Sequence, residues 1–206
     1  MVLYDLVAPA YDPLFRRIYQ PFRTQALELL PQQPGAVVLD LACGTGQNFP
    51  LLASRIGHRG RIIGLDISSG MLRQARHSVK LAARDNVTLV KMDARALSPT
   101  TLKEKTGLTS VDFVVCTYGF TAMREWELPF HRSFSVLKPG GGYLMHDIYA
   151  EKRTFHSWAV EKVTRTQLSR KVWQLLEKLC PDFHMEFIDP SQHLFGGRLF
   201  VAYGTK

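Results

Sequence analysis

Residues 37–48 read Val37-Val-Leu-Asp-Leu-Ala-Cys-Gly-Thr-Gly-Gln-Asn48, an apolar run that ends in an acid and passes directly into a glycine-broken turn. Val37, Val38 and Leu39, preceded by Pro34-Gly35, have the pattern of a strand buried on both faces of a parallel sheet. Asp40 closes that strand. Gly44 and Gly46 let the backbone turn tightly and approach a ligand with no Cβ in the way, and the helix that follows offers unpaired N–H groups at its start. This is a nucleotide-type binding turn.

Its neighbours narrow the choice of nucleotide. A dinucleotide fingerprint needs a third small residue three positions after the second glycine, and that position holds Phe49. A phosphate loop needs Gly-Lys-Ser/Thr, whereas the chain continues Gln47-Asn48. The acid at Asp40 repels a phosphate but suits an amino-acid ammonium. The turn therefore suits an adenosine cofactor with a cationic, methionine-like end.

Working outward, Arg61-Ile-Ile-Gly-Leu-Asp66 is a second strand ending in an acid. A carboxylate about twenty residues beyond a glycine turn, at the tip of the neighbouring strand, is positioned to accept both ribose hydroxyls. Ile67 is read as one wall of an adenine slot. Ser68 or Ser69 caps a helix running to about Ala83, with Met71, Leu72, Ala75 and Val79 on its inner face. Asn86 to Lys91 makes a third strand leading to Met92-Asp93-Ala94, a third acid at a strand end. Val111 to Cys116 is the fourth strand, with Thr117-Tyr118-Gly119-Phe120 at its carboxyl end, where ligands of open α/β sheets bind. Trp126 to Leu137 is an amphipathic helix, and Lys138-Pro-Gly-Gly-Gly142 turns into a fifth strand, Tyr143 to Ile148. A long basic helix is expected over about Phe155 to Leu179, with Trp158, Val172, Leu175, Leu176 and Leu179 in the core. Asp182 to Ile188 and Leu194 to Tyr203 read as two more strands.

Asp40-Leu-Ala-Cys-Gly-Thr-Gly46 resembles the first motif of class I S-adenosylmethionine (SAM) methyltransferases. Gly-Leu-Asp66-Ile-Ser-x-x-Met71 resembles the second conserved block, and Leu137-Lys-Pro-Gly-Gly141 the segment before the fifth strand. Ala42, where many members have glycine, is the main departure, and the quinone-biosynthesis branch is similar there. The resemblance implies an α/β, Rossmann-like, doubly wound seven-stranded sheet, mostly parallel, with an antiparallel C-terminal hairpin and N-terminal lid helices. It implies SAM as cofactor, held by Asp40, Ala42, Gly44, Gly46, Asp66, Ile67, Met71, Asp93, Ala94 and Thr117. Within that set, Asp93 and Ala94 meet the adenine edge.

At 206 residues the chain is long enough for one good-sized core and short for two. We expect a single domain over 1–206, with lid helices in 1–33 and a core in 34–206. No window approaches the roughly 18 uncharged apolar residues of a membrane span, and the start lacks the pattern of a targeting signal. Cys43, Cys116 and Cys180 are odd in number and widely spaced, which suits free thiols in a reducing cytosol and neither a disulfide frame nor a metal site. The net charge of +8 implies attraction to something anionic, or solubility alone.

Leu14, Phe15, Ile18, Tyr19, Phe22, Ala26, Leu29 and Leu30 recur at helical spacing, with Arg16, Arg17 and Arg23 mostly on the opposite side and Pro21 as a break. This segment reads as a lid over the site, as an interfacial helix touching anionic lipid, or as both. Tyr11, followed by Asp12, resembles the N-terminal tyrosine that helps close the site in quinone and phospholipid methyltransferases. Methyl transfer needs positioning and water exclusion, with a base only where the nucleophile arrives protonated. His146 is the candidate base or substrate orienter, with Tyr118 and Tyr149 as alternatives. The expected acceptor is small and amphipathic or lipid-like, a phospholipid amine headgroup or a quinone precursor. The rivals are an RNA or protein acceptor for the basic surface, with nucleic acid disfavoured by the lack of a recognition motif, and a non-catalytic SAM-binding protein. The expected location is cytoplasmic, with peripheral membrane contact through the N-terminal helices.

Overall fold

The computed structural model describes residues 19–152, 154–188 and 197–206. Helix α1 runs through residues 19–28. Then follow β1 (Val37–Leu41), α2 (Phe49–Ile56), β2 (Arg61–Asp66), α3 (Ser69–Leu81), β3 (Val87–Lys91), a 3₁₀ turn (Ala94–Ala96), α4 (Pro99–Thr106) and β4 (Val111–Thr117). The remainder is α5 (Glu127–Ser135), β5 (Leu137–Tyr149), α6 (Phe155–Thr164), α7 (Gln174–Leu179), β6 (His184–Phe187) and β7 (Arg198–Thr205). The strands form one seven-stranded sheet in the order β3-β2-β1-β4-β5-β7-β6. Strands β1 to β5 pair in parallel, while β7 runs antiparallel to β5 and β6. The doubly wound sheet with its antiparallel edge is thus as expected.

Alternation along the strands explains why both faces are covered. Leu39, Leu41, Ile63, Leu65, Val114 and Cys116 pack with Leu102, Phe130, Val172 and Leu176 on one face. Val38, Ile62, Phe113, Val115 and Leu144 pack with Ala26, Leu27, Leu30, Phe49, Leu52, Ile56 and Leu72 on the other. The second half of α1 is therefore built into the core. Asp112 stitches strand starts together: its carboxylate accepts from Val37 N at 2.8 Å and from Lys138 Nζ at 2.6 Å.

The chain moves outward from β1 through β2 to β3, then crosses back to β4 on the other side of β1. That reversal opens a crevice between the carboxyl ends of β1 and β4.

Several elements differ from their sequence reading. α1 continues through Pro21 over its described length. α5 ends at Ser135, and β5 starts already at Leu137, so Lys138-Pro-Gly-Gly is an irregularity inside a strand: Val111 pairs with Leu137 and Phe113 with Gly142. The long basic helix is two helices. Arg165 leaves the helical conformation at φ +56°, and the chain is then pinned by Leu168 N to the Glu161 carboxylate and Gln167 N to Thr121 O. Of its expected core residues, Val172 and Leu176 are buried, whereas Trp158 and Leu179 are 40% and 43% exposed.

Candidate functional site

A cavity of about 480 Å³ lies at the crevice, inside the range of small-molecule sites. The turn after β1 forms its floor. Ala42 and Gly44 both have positive φ, +56° and +55°, and a Cβ added to Gly44 would meet nothing within 4 Å. Gly46, at φ +82°, is needed for packing, since a Cβ there would fall 2.4 Å from the Phe49 ring. The departure at Ala42 is therefore conformational as well as steric, because an alanine occupies a left-handed position.

Asp66 ends β2 in the cavity wall. Its carboxylate accepts from Gly44 N and from Ser68 N, each at 2.8 Å, which fixes both oxygens against the turn. Met71, whose N–H is capped by the Ser68 hydroxyl at 3.1 Å, and Ile67 line the same side. Asp93 and Ala94 line the cavity too, at the head of the 3₁₀ turn. The Asp93 carboxylate is engaged by Arg95, with Arg95 Nη2 at 2.6 Å, and this holds it below the usual carboxylate range. Arg95 also reaches Glu125 at 2.7 Å across to the segment before α5. Neither Arg95 nor Glu125 was singled out from sequence.

Asp40 lies beneath the cavity rather than in its lining. It is fully buried, Asn48 Nδ2 donates to its Oδ1 at 2.7 Å, and its Oδ2 has no hydrogen-bond partner. Burial pushes its pKa up to about 7, against the lowering effects of the Asn48 bond and the Arg23 charge. Asn48 also donates to Thr117 Oγ1 at 3.1 Å, and Arg23 Nη1 donates to Asn48 Oδ1 at 2.8 Å and to Thr117 Oγ1. Arg23 is thus a buried cation in the cavity wall, its Nε without a hydrogen-bond partner. This corrects its placement on the side opposite the apolar face: the face of α1 that looked polar meets polar partners inside.

Thr117 and Tyr118, at the end of β4, complete the wall. Tyr118 has φ +56°, a costly conformation for a tyrosine, and such strain concentrates at functional sites. Its hydroxyl lies 2.6 Å from His146 Nε2, the Tyr19 ring is 4.7 Å away, and the Arg23 guanidinium sits 5.0 Å above its ring. His146 is fully buried behind Tyr118 and outside the cavity lining. Its Nδ1 is 2.8 Å from the Phe200 carbonyl, an acceptor only, so Nδ1 carries a proton. Burial lowers its pKa to about 3, so the ring is neutral and Nε2 accepts from Tyr118. The geometry makes His146 a group that acts through Tyr118. Asp147 beside it accepts from Thr121 N at 3.1 Å and Thr121 Oγ1 at 2.6 Å, tying the segment after Tyr118 to β5. Tyr149 packs against Trp173, away from the cavity. Tyr11 lies outside the described residues. The three cysteines are free and buried.

The donor set fits an adenosine cofactor with an amino-acid tail. Asp66 presents a fixed carboxylate to a diol, the buried Asp40–Asn48 pair puts a carboxylate beneath the floor where a cationic tail would lie, and the Gly44 turn leaves room for close approach.

Comparison with known proteins agrees with this geometry. A family model described as a methyltransferase domain matches residues 32–185. The chain is 29% identical over 143 residues to demethylmenaquinone methyltransferase of Listeria welshimeri, covering 68% of this chain and 58% of that protein. It thus spans less than three fifths of that relative's length. The protein of the same name from Lactococcus lactis is 29% identical over 194 residues, 88% of this chain and 74% of the relative. Among solved structures, phosphoethanolamine N-methyltransferase 2 from Haemonchus contortus in complex with SAM matches with a TM-score of 0.77 at 17% identity, over 98% of this chain and 57% of that one, a likeness of fold. The match over residues 32–185, together with the glycine turn and the Asp66 carboxylate at the crevice, means that the chain belongs to the class I SAM-dependent methyltransferase family.

Proposed function

We propose that the protein transfers a methyl group from SAM to a small amphipathic acceptor, a quinone precursor in its reduced, hydroxyl-bearing form. The observation that carries the reading is the Asp66 carboxylate, fixed on two backbone N–H groups in the wall of the cavity. When bound, the cofactor supplies a methyl group activated by its sulfonium. In this reading Asp66 takes the ribose hydroxyls, Ile67 and Met71 flank the adenine, and Asp93 and Ala94 meet its edge. Gly44, Gly46 and Ala42 give the main chain close approach, while Asp40, through Asn48 and Thr117, sets the amino-acid end.

The chain's own contribution is positioning and exclusion of water, which supply much of the rate in a displacement of this kind. His146 holds the only proton of the Tyr118 hydroxyl, so a group that meets the phenol oxygen must donate to it. A quinol hydroxyl does so. Arg23 favours an acceptor that is neutral or becomes anionic over one that gains positive charge, and this ranks a quinol above an amine headgroup. The names of the bacterial relatives support the same substrate class. Tyr11 is read as part of the closure over the acceptor. In this reading one unit carries the whole site, with α1 serving as wall and lid.

The test is methyl transfer from labelled SAM to a reduced naphthoquinone, to phosphoethanolamine and to bulk RNA, each assayed alone. Label in the organic-soluble naphthoquinone product is expected. Label only in phosphoethanolamine or in RNA would move the acceptor to that class, and label in none would leave a cofactor-binding protein without this turnover.

A further inference from the structure

One surface of the molecule lies outside the account given by the cavity. Helix α6 carries Phe155 and Trp158, 82% and 40% exposed, with their ring centroids 5.6 Å apart. Phe155, Trp158 and Lys162 stand at i, i+3 and i+7 and share one face of the helix. The other face is committed: Ser157 is buried, closing a capping box with Thr154, and the Glu161 carboxylate accepts from Leu168 N at 2.9 Å. The outward face is therefore two aromatics in contact, their rings tilted by 31°, followed by a lysine.

Charge concentrates on the same stretch. Residues 151–172 contain six Lys or Arg against two Glu, a net +4 that is half of the molecule's +8. Lys152, Lys162, Arg165 and Lys171 are exposed. A second cavity of about 490 Å³ adjoins this helix, with Ser157, Glu161, Lys162, Thr166 and Gln167 in its lining. The segment after α6 is also fastened to the rim of the first cavity. Gln167 N donates to Thr121 O at 2.8 Å, Arg170 Nη2 to Arg124 O at 2.9 Å, and Arg170 Nη1 to Met123 O.

From these features we propose that the α6 face docks on an anionic lipid bilayer. The aromatic pair enters the acyl boundary, and the surrounding cations meet the headgroups. The charge complementarity selects a bilayer of net negative charge, and the outward rings supply the apolar anchor that a purely electrostatic contact to RNA lacks. Docking this face brings the Met123–Arg124 rim of the first cavity to the membrane surface, which gives an amphipathic acceptor a short path into the site. This last point rests on the proposed function; the docking itself does not.

The test is co-sedimentation of the full chain with vesicles of phosphatidylcholine alone or containing a third of phosphatidylglycerol, followed by Trp fluorescence. Trp126 and Trp173 are both 9% exposed, so Trp158 is the tryptophan open to the bilayer. The wild type is expected to bind the anionic vesicles, release them at high salt, and show a blue-shifted emission on binding. The Phe155→Ser/Trp158→Ser pair is expected to lower vesicle affinity about tenfold or more while S-adenosylhomocysteine binding stays unchanged. Lys162→Glu, which keeps both rings, is expected to weaken binding to the anionic vesicles. Equal binding by the double variant, indifference to phosphatidylglycerol, or a dimer that the double variant dissociates in the absence of lipid would overturn the proposal. Loss of S-adenosylhomocysteine binding by the wild type would strike the proposed function instead and leave the vesicle result standing.

Discussion

His146 is a buried imidazole whose charge state the fold decides. An unfolded chain would titrate it near 6.5, and burial moves it to about 3 in the fold, with the Phe200 carbonyl resisting and Arg23 adding to the shift. A depressed pKa contributes stability that is complete above about 6.5 and is lost as pH falls toward 3. Asp40 and Asp147 act in the opposite sense, since burial raises them to about 7 and about 6. Comparison with His146→Gln isolates the histidine, because an amide can still accept from Tyr118 and donate to Phe200. Relative to wild type, the variant is expected to gain roughly 2 kcal/mol between pH 7 and pH 5 in denaturant unfolding. Parallel pH profiles would contradict this. At this scale the strand-end acids were legible, because an apolar run closed by an acid is a local pattern. Arg23 was not: a helical wheel separates apolar from polar positions but does not reveal that Asn48 and Thr117, distant in sequence, turn a polar position inward. The pairing of Arg95 with Glu125, 30 positions away, was hidden for the same reason.

Among the elements, the β1 turn and α2 are coupled through one glycine. Gly46→Ala adds a Cβ at φ +82° within 2.5 Å of two Phe49 ring atoms, and Phe49 is packed in the core with Leu52 and Ile56. The substitution combines left-handed strain with displacement of a core aromatic, so a loss of about 2–4 kcal/mol is expected. Thermal unfolding checks it, and a change below about 0.5 kcal/mol would mean that the ring yields freely. The periodic elements around this turn were readable because both faces of the sheet are apolar and each strand is bounded by Gly, Pro or an acid. The break between α6 and α7 was not, because residues 164–167, Thr-Arg-Thr-Gln, contain no glycine or proline. A long-range tie from Gln167 N to Thr121 O and a local one from Leu168 N to the Glu161 carboxylate shape that segment instead. The early start of β5 likewise comes from pairing of Leu137 with Val111, a partner the local sequence does not announce.

For the whole molecule, the strand order matters more than any single contact. It brings the ends of β1, β2, β3 and β4 to one side, so that Asp66, Asp93, the Gly44 turn and Tyr118 surround one cavity although they span 75 positions of the chain. The doubly wound, mostly parallel sheet was legible through the resemblance, and the expected adenosine contacts were assigned from that resemblance. The acceptor half was less so, since Tyr118, His146 and Arg23 meet through tertiary packing. No described helix is long and apolar enough to cross a membrane.

The most direct test of the site is calorimetric titration of S-adenosylhomocysteine into wild type, Asp66→Asn and Asp66→Ala, with thermal unfolding as the check on folding. A carboxylate that takes two hydroxyls supports a loss of about a hundredfold for Asp66→Ala, with Asp66→Asn in between. Affinities for a folded Asp66→Ala within twofold of wild type would contradict the assignment of this carboxylate and of the cavity built around it.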